Sequence, residues 1–196
     1  MARTEPTGRT SEARSRLLNT ALRIFYANGI HSVGIDRIVE EAQVTRATLY
    51  RHFLSKEELV VAYLNEVDTA MRGQAAQAAA GHDSPADTLR ALSQAIAAGI
   101  RSPEFRGCAF LNAAAEYPDP DHPVHQAVLA HRQWFQDTVT DLFAEIREPS
   151  AGPAGRHFVM LRDGAMAAGC LSDAEVVCET FLRGVEGLVR VYISES

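Results

Sequence analysis

The chain has 196 residues, 46% of them hydrophobic, which suits one domain of moderate size or a small domain fused to a larger one. Its formal net charge of −6 argues against a uniformly basic nucleic-acid binder, but the charge is unevenly placed. Residues 1–56 carry nine Lys/Arg against five Asp/Glu and the remainder ten against twenty, so a basic end is joined to an acidic body that avoids unspecific polyanions.

Residues 1–9 are polar and carry Arg3 and Arg9. They read either as an unbound tail or as an arm that follows a groove of DNA. From Ser11 to Asn28 the residues Leu17, Leu18, Ala21, Leu22, Ile24 and Phe25 form a helical stripe that Gly29 ends. Residues 34–53 then read as two short helices with a tight turn at Gln43 and Val44. Ile35, Ile38, Val39 and Ala42 give the first an apolar face. Thr45 caps the second, in which Leu49 and Phe53 face inward. Arg46, Ala47, Thr48, Tyr50 and Arg51 are left outward. A short helix with small, hydroxyl and cationic side chains on its open face suits a DNA major groove. Arg46 and Thr48 are expected to touch bases. Tyr50, His52 and Lys56 are expected to hold phosphate, with Arg37, Thr45, Ala47 and Arg51 completing the surface.

Thr48-Leu49-Tyr50-Arg51-His52-Phe53, followed by Ser55-Lys56-Glu57-Glu58-Leu59, resembles the DNA-binding signature of the TetR family of transcriptional repressors. Ile24-Phe25 and Gly29 sit where that family's first helix ends, so the likeness runs from about residue 12 to 64. The resemblance implies a helix-turn-helix head, an operator as partner and a homodimer formed through the last helices. One position departs: the family usually has glycine in the turn, where this chain has Gln43, so the turn must avoid or tolerate a positive φ.

Downstream of the motif every element reads as helix. Ser55 with Glu58 forms a capping box, and the stripe Leu59, Tyr63, Leu64, Val67 and Met71 runs on toward Gly81. Ser84-Pro85 opens the next helix. Cys108 to Glu116 is short and apolar, and Tyr117 to Pro123 breaks it. A long helix carries Val128, His131, Trp134, Phe135, Val139 and Phe143. A loop is expected over residues 150–155. Ser172 with Glu175 is expected to cap the last helix. Phe158, Leu161, Ala165, Val177, Phe181, Gly184, Leu188 and Val191 form the stripe of the last two helices and are the expected dimer surface.

Chemistry is thin. Asp119, Asp121, His122 and His125 have the residue types of a metal site, but prolines punctuate them and a charged loop accounts for them, so no metal or other cofactor is expected. Cys108 reads as a small buried hydrophobe or as a redox-sensing thiol. No nucleophile–base pair or phosphate-binding glycine loop points to an enzyme. Phe110, Asn112, Glu116, His131, Trp134, Met160 and Met166 have the mixed character of a pocket lining, although many of them would equally serve as core. No apolar run reaches membrane length and the N-terminus is polar; with three cysteines that form no disulfide framework, a reduced cytoplasm is the expected compartment.

The expected protein is all-α. A three-helix DNA-binding unit over 1–56 joins a ligand-binding and dimerisation body over 57–196. The function expected is a homodimeric repressor released from a palindromic operator by an apolar or amphipathic small molecule. The alternative is a helical enzyme or dimerisation module that does not bind DNA.

Overall fold

In the computed structural model the backbone is described for residues 7–194 and the side chains for residues 12–193, so the arm residue Arg3 lies outside the described part. The described residues form helices α1 (Thr7–Asn28), α2 (Ile35–Glu41), α3 (Arg46–His52), α4 (Lys56–Ala80) and α5 (Pro85–Ile100). These are followed by α6 (Ala109–Glu116), α7 (Pro123–Arg147), α8 (Ala151–Ala168) and α9 (Ala174–Ser194). No strand occurs among the described residues, in accord with the all-α expectation.

The chain forms two compact units. The first comprises residues 1–67 and 112–128, the second 68–111 and 129–196. Apolar side chains past Lys56 fall within the first unit. Leu59, Val60, Tyr63 and Leu64 are buried, and the Tyr63 ring meets Phe25 edge-on at 5.7 Å.

In the first unit α1 packs on α2 and α3. Leu17, Ile24, Ile38, Leu49 and Phe53 are fully or almost fully buried there. Gly29 ends α1 at φ 86°, donating its N–H to the Phe25 carbonyl. Gln43 takes φ 53° in the turn between α2 and α3. The turn therefore keeps its left-handed geometry without glycine, at a conformational cost of about 1–2 kcal/mol for an L-residue.

In the second unit α9 packs on α5 and α8. Its core centres on Leu89, Ile100, Val139, Phe143, Phe158 and Val189. Phe158 touches Phe135 at 6.2 Å and Phe181 edge-on at 6.3 Å. Two boundaries depart from the sequence reading. Residues expected as a loop form a short 3-10 turn, Glu148–Ser150, and the start of α8. Pro153 is tolerated there because first-turn N–H groups have no intrahelical partner to lose. Gly155 is needed there because a Cβ would stand 2.1 Å from Thr140 Oγ1. At the start of α9 the capping acceptor is Asp173, whose Oδ1 receives the N–H groups of Glu175 and Val176, rather than Ser172.

Candidate functional site

The α3 helix is short, and its position depends on local devices. Thr45 Oγ1 accepts the Thr48 N–H at 3.1 Å and also bonds the Thr48 hydroxyl at 2.9 Å. At the far end the Phe53 N–H reaches the Leu49 carbonyl. Leu49 and Phe53 anchor the inner face, leaving Arg46, Ala47, Tyr50 and Arg51 exposed on the outer one. The cations on this surface are mostly paired. Arg46 donates to Asp36 of α2. Arg37 reaches Glu41 at 2.8 Å, and Arg23 of α1 binds the same carboxylate. Side-chain bonds from Arg37 and then Arg23 hold the Glu41 carboxyl below its ordinary range. Arg51 has no ion pair among the described residues.

The connection between α1 and α2 is pinned on both sides. Glu116, at the end of α6, accepts the N–H of Ile30 at 2.8 Å and that of His31 at 2.5 Å. Lys56 Nζ donates to the Ile30 carbonyl at 2.6 Å and lies 6.0 Å over the Phe25 ring. Burial lowers its pKa. Tyr117 packs against His31 on one side and His122 on the other. The turn beyond is built from its own side chains. Asp119 accepts the Asp121 N–H, His122 Nδ1 accepts the Val124 N–H, and His125 bonds the Tyr117 carbonyl.

In the second unit His131 is buried and stacks flat on Phe110, centroids 3.5 Å apart. Its Nδ1 meets Asp68 at 2.7 Å. Burial lowers the His131 pKa, and the positive charge of Arg162 adds to that; the bond to Asp68 opposes both. The ring is thus neutral, with Nδ1–H donating to Asp68. Asp68 also takes Arg72 at 2.6 Å. Burial alone would raise the Asp68 pKa, but the bonds from Arg72 and His131 outweigh it and lower it. The Arg72 guanidinium sits 4.3 Å over the Trp134 ring. Arg162, buried, donates to Cys108 Sγ at 3.3 Å and to Asp163 at 3.0 Å. A cavity of about 380 Å³ opens between α4, α5 and α7, with Trp134 on its wall.

Known proteins decide what this arrangement belongs to. A family model described as "Bacterial regulatory proteins, tetR family" matches residues 17–63. A second, "Tetracyclin repressor-like, C-terminal domain", matches residues 85–150. The crystal structure of SCO4454, a TetR-family transcriptional regulator from Streptomyces coelicolor, is similar over 93% of this chain and 97% of its own, with 64% identity and a TM-score of 0.91. This chain belongs to the TetR family. Among more distant relatives, the HTH-type transcriptional regulator YjdC of Escherichia coli is 21% identical, covering 90% of this chain and 93% of its own length. UidR of the same species is 43% identical over 51 residues, 26% of each chain.

As a TetR-family member, the protein is a transcriptional regulator with a DNA-binding helix-turn-helix and not an enzyme. No helix among the described residues is long and apolar enough to cross a membrane. The structure places the expected site residues unevenly. Lys56 is partly buried, with its ammonium donating to the Ile30 carbonyl. His52 is partly buried, with Nε2 enclosed and unpaired among the described residues. Glu116 binds the Ile30 and His31 amides in the first unit and does not line the cavity described above. Of the expected pocket residues, Trp134 lines the cavity described above. Phe110 and His131 are stacked in the interior, and Met166 packs on the core. Met160 is 70% exposed, and Asn112, in the first unit, is also exposed.

The dimer stripe divides as well. Phe158, Ala165, Val177 and Phe181 are buried within the protomer and are unavailable to a partner. Leu161, Gly184 and Leu188 are partly buried, while Val191 is exposed. Cys170 is exposed; Cys108 and Cys178 are buried. The pairs Arg46–Asp36 and Glu116–Ile30 were missed because partners ten and 86 positions apart leave no local signal. The i,i+4 spacing of Asp68–Arg72 was readable.

Proposed function

We propose that this regulator is a cytoplasmic homodimeric repressor, released from a near-palindromic operator by a small ligand bound in its second unit. The observation that carries this reading is that one chain joins an exposed recognition helix to a body containing a 380 Å³ cavity, within the size range of small-molecule sites. Arg46, Thr48, Tyr50 and Arg51 are the side chains assigned to DNA, with Arg37, Thr45 and Ala47 beside them. The dimer surface is assigned to the outer faces of α8 and α9, through Met160, Gly164, Gly184, Gly187, Leu188 and Val191. A Cβ placed on Gly164 or Gly187 would meet no heavy atom within 4 Å beyond its chain neighbours and its own helix backbone, leaving room for close helix approach by a second copy.

The test is fluorescence anisotropy on DNA flanking the gene, run across salt concentrations beside sedimentation. Two recognition helices set about 34–36 Å apart are expected to bind successive major grooves. If each subunit neutralises about four phosphates, the log–log salt slope is near −7. Leu188→Glu is expected to give monomers that lose operator binding with an intact head, because the seam would bury an unpaired charge from each subunit. A salt slope near zero contradicts DNA binding, and an unchanged dimer in Leu188→Glu contradicts the assigned surface.

A further inference from the structure

Small side chains make the cavity between α4, α5 and α7. Ala75, Ala76 and Ala79 of α4 leave the space that Leu92, Leu142 and Trp134 line from the other helices. The two lining hydroxyls are already committed to backbone, Thr88 to the Ser84 carbonyl and Thr138 to the Trp134 carbonyl. The remaining polar groups are Arg72, Asp141 and Glu145. Arg72 is neutralised by Asp68. Asp141 and Glu145 stand one helical turn apart on α7, are exposed, and have no ion-pair partner among the described residues. The cavity thus offers two uncompensated carboxylates. It also offers an indole face that already holds a guanidinium at 4.3 Å, the geometry of a cation–π contact.

We infer that this cavity accepts hydrophobic organic cations, compounds that carry a delocalised or substituted onium or amidinium charge on an apolar body. The inference rests on the ligand-responsive reading above and names the chemical class for that site. The cation replaces the Arg72 guanidinium on Trp134, in the field of Asp141 and Glu145 two and three turns further along α7, and its apolar body lies against the alanines of α4. An anion of the same shape meets the negative field of the two carboxylates and binds less well. A small inorganic cation keeps its water, since the carboxylates are solvated and the remaining wall is apolar.

Trp134 is the single tryptophan, so its fluorescence reports the site directly in the full-length protein. Three probes separate the possibilities: tetraphenylphosphonium, tetraphenylborate of the same shape and opposite charge, and neutral N-phenyl-1-naphthylamine. Tetraphenylphosphonium is expected to quench Trp134 saturably, with tetraphenylborate about tenfold weaker or more. The double variant Asp141→Asn/Glu145→Gln is expected to weaken the phosphonium several-fold and leave the naphthylamine unchanged. Arg72→Gln is expected to tighten the phosphonium, because a competing cation leaves the ring. All three substituted positions are exposed, and circular dichroism verifies folding. Equal binding of borate and phosphonium, or weaker phosphonium binding in Arg72→Gln, overturns the inference. Binding of borate or naphthylamine without phosphonium also overturns the cation class while the ligand-responsive reading survives. Binding of no probe overturns the inference for this cavity and leaves the repressor reading to the anisotropy and sedimentation test.

Discussion

Replacing Glu116 by alanine removes one carboxylate that holds two consecutive amides of the first unit. The Ile30 N–H is bonded at 2.8 Å and the His31 N–H at 2.5 Å, and the Ile30 carbonyl is held from the other side by Lys56. A hydrogen bond to a charged group contributes about 1.5–3 kcal/mol. The Glu116 side chain is 23% exposed and His31 is on the surface, so water recovers part of what is lost at that amide. The net loss is therefore set at about 2 kcal/mol, close to one such bond, which raises local opening about 30-fold. Amide hydrogen exchange followed by NMR is the direct assay. Ile30 and His31 are expected to exchange about 30-fold faster in Glu116→Ala, with α9 amides unchanged. Glu116→Gln, which keeps a neutral acceptor, is expected to fall between. Exchange at Ile30 within twofold of the parent protein would refute the brace, and equal acceleration throughout the chain would show global destabilisation instead.

Three other substitutions probe the packing. Gln43→Gly relieves the left-handed residue at φ 53° and is expected to stabilise by about 0.5–1 kcal/mol after glycine's entropy cost; a lower denaturation midpoint would contradict the strain argument. Gly155→Ala drives a methyl to 2.1 Å from Thr140 Oγ1 and 3.2 Å from its Cα, costing about 1–3 kcal/mol. Adding Thr140→Ala should recover only part, read from urea midpoints. For His131 the pKa in the folded chain is lowered from 6.5, first by burial. The unfolded chain therefore takes up the proton first, and stability falls as pH drops below about 6.5 until the depressed folded value is passed. His131→Phe should flatten that part of the stability–pH curve. Identical slopes between pH 7 and 5 would place the titration elsewhere.

The fold was legible wherever the determining interactions are local. The cap at Thr45, the Ser84-Pro85 helix start and the inward pair Leu49 and Phe53 each depend on residues within one or two turns. The alignment of Phe158 and Phe181 with the helical stripe was also readable, but periodicity reports only that a face is buried and not what buries it. Those rings fill the protomer's own core, and the surface proposed for a second copy includes Gly164, which lies outside that stripe. The pocket was harder still. Aromatic and methionine residues drew attention to Phe110, Met160 and Met166. The cavity instead depends on alanines, whose contribution is the volume they do not fill.

The same distinction between presence and availability applies to charge in the head. A surplus of four cations over residues 1–56 reads as an open electrostatic footprint, yet Arg23 and Arg37 share Glu41, Arg46 is held by Asp36, and Lys56 turns inward. A phosphate that draws Arg46 away leaves the Asp36 carboxylate unpaired close to the DNA, a like-charge contact that offsets much of the gain. Solvent-exposed pairs of this kind contribute little to stability, so the head can give them up at small cost when contact geometry is good. Poorly matched DNA supplies Coulomb attraction alone and recovers less of the exchange. On the proposed assignment of Ala47, Thr48, Tyr50 and Arg51 to DNA, the internal carboxylates would shift discrimination from total charge, which all DNA shares, toward the fit of α3 in one groove.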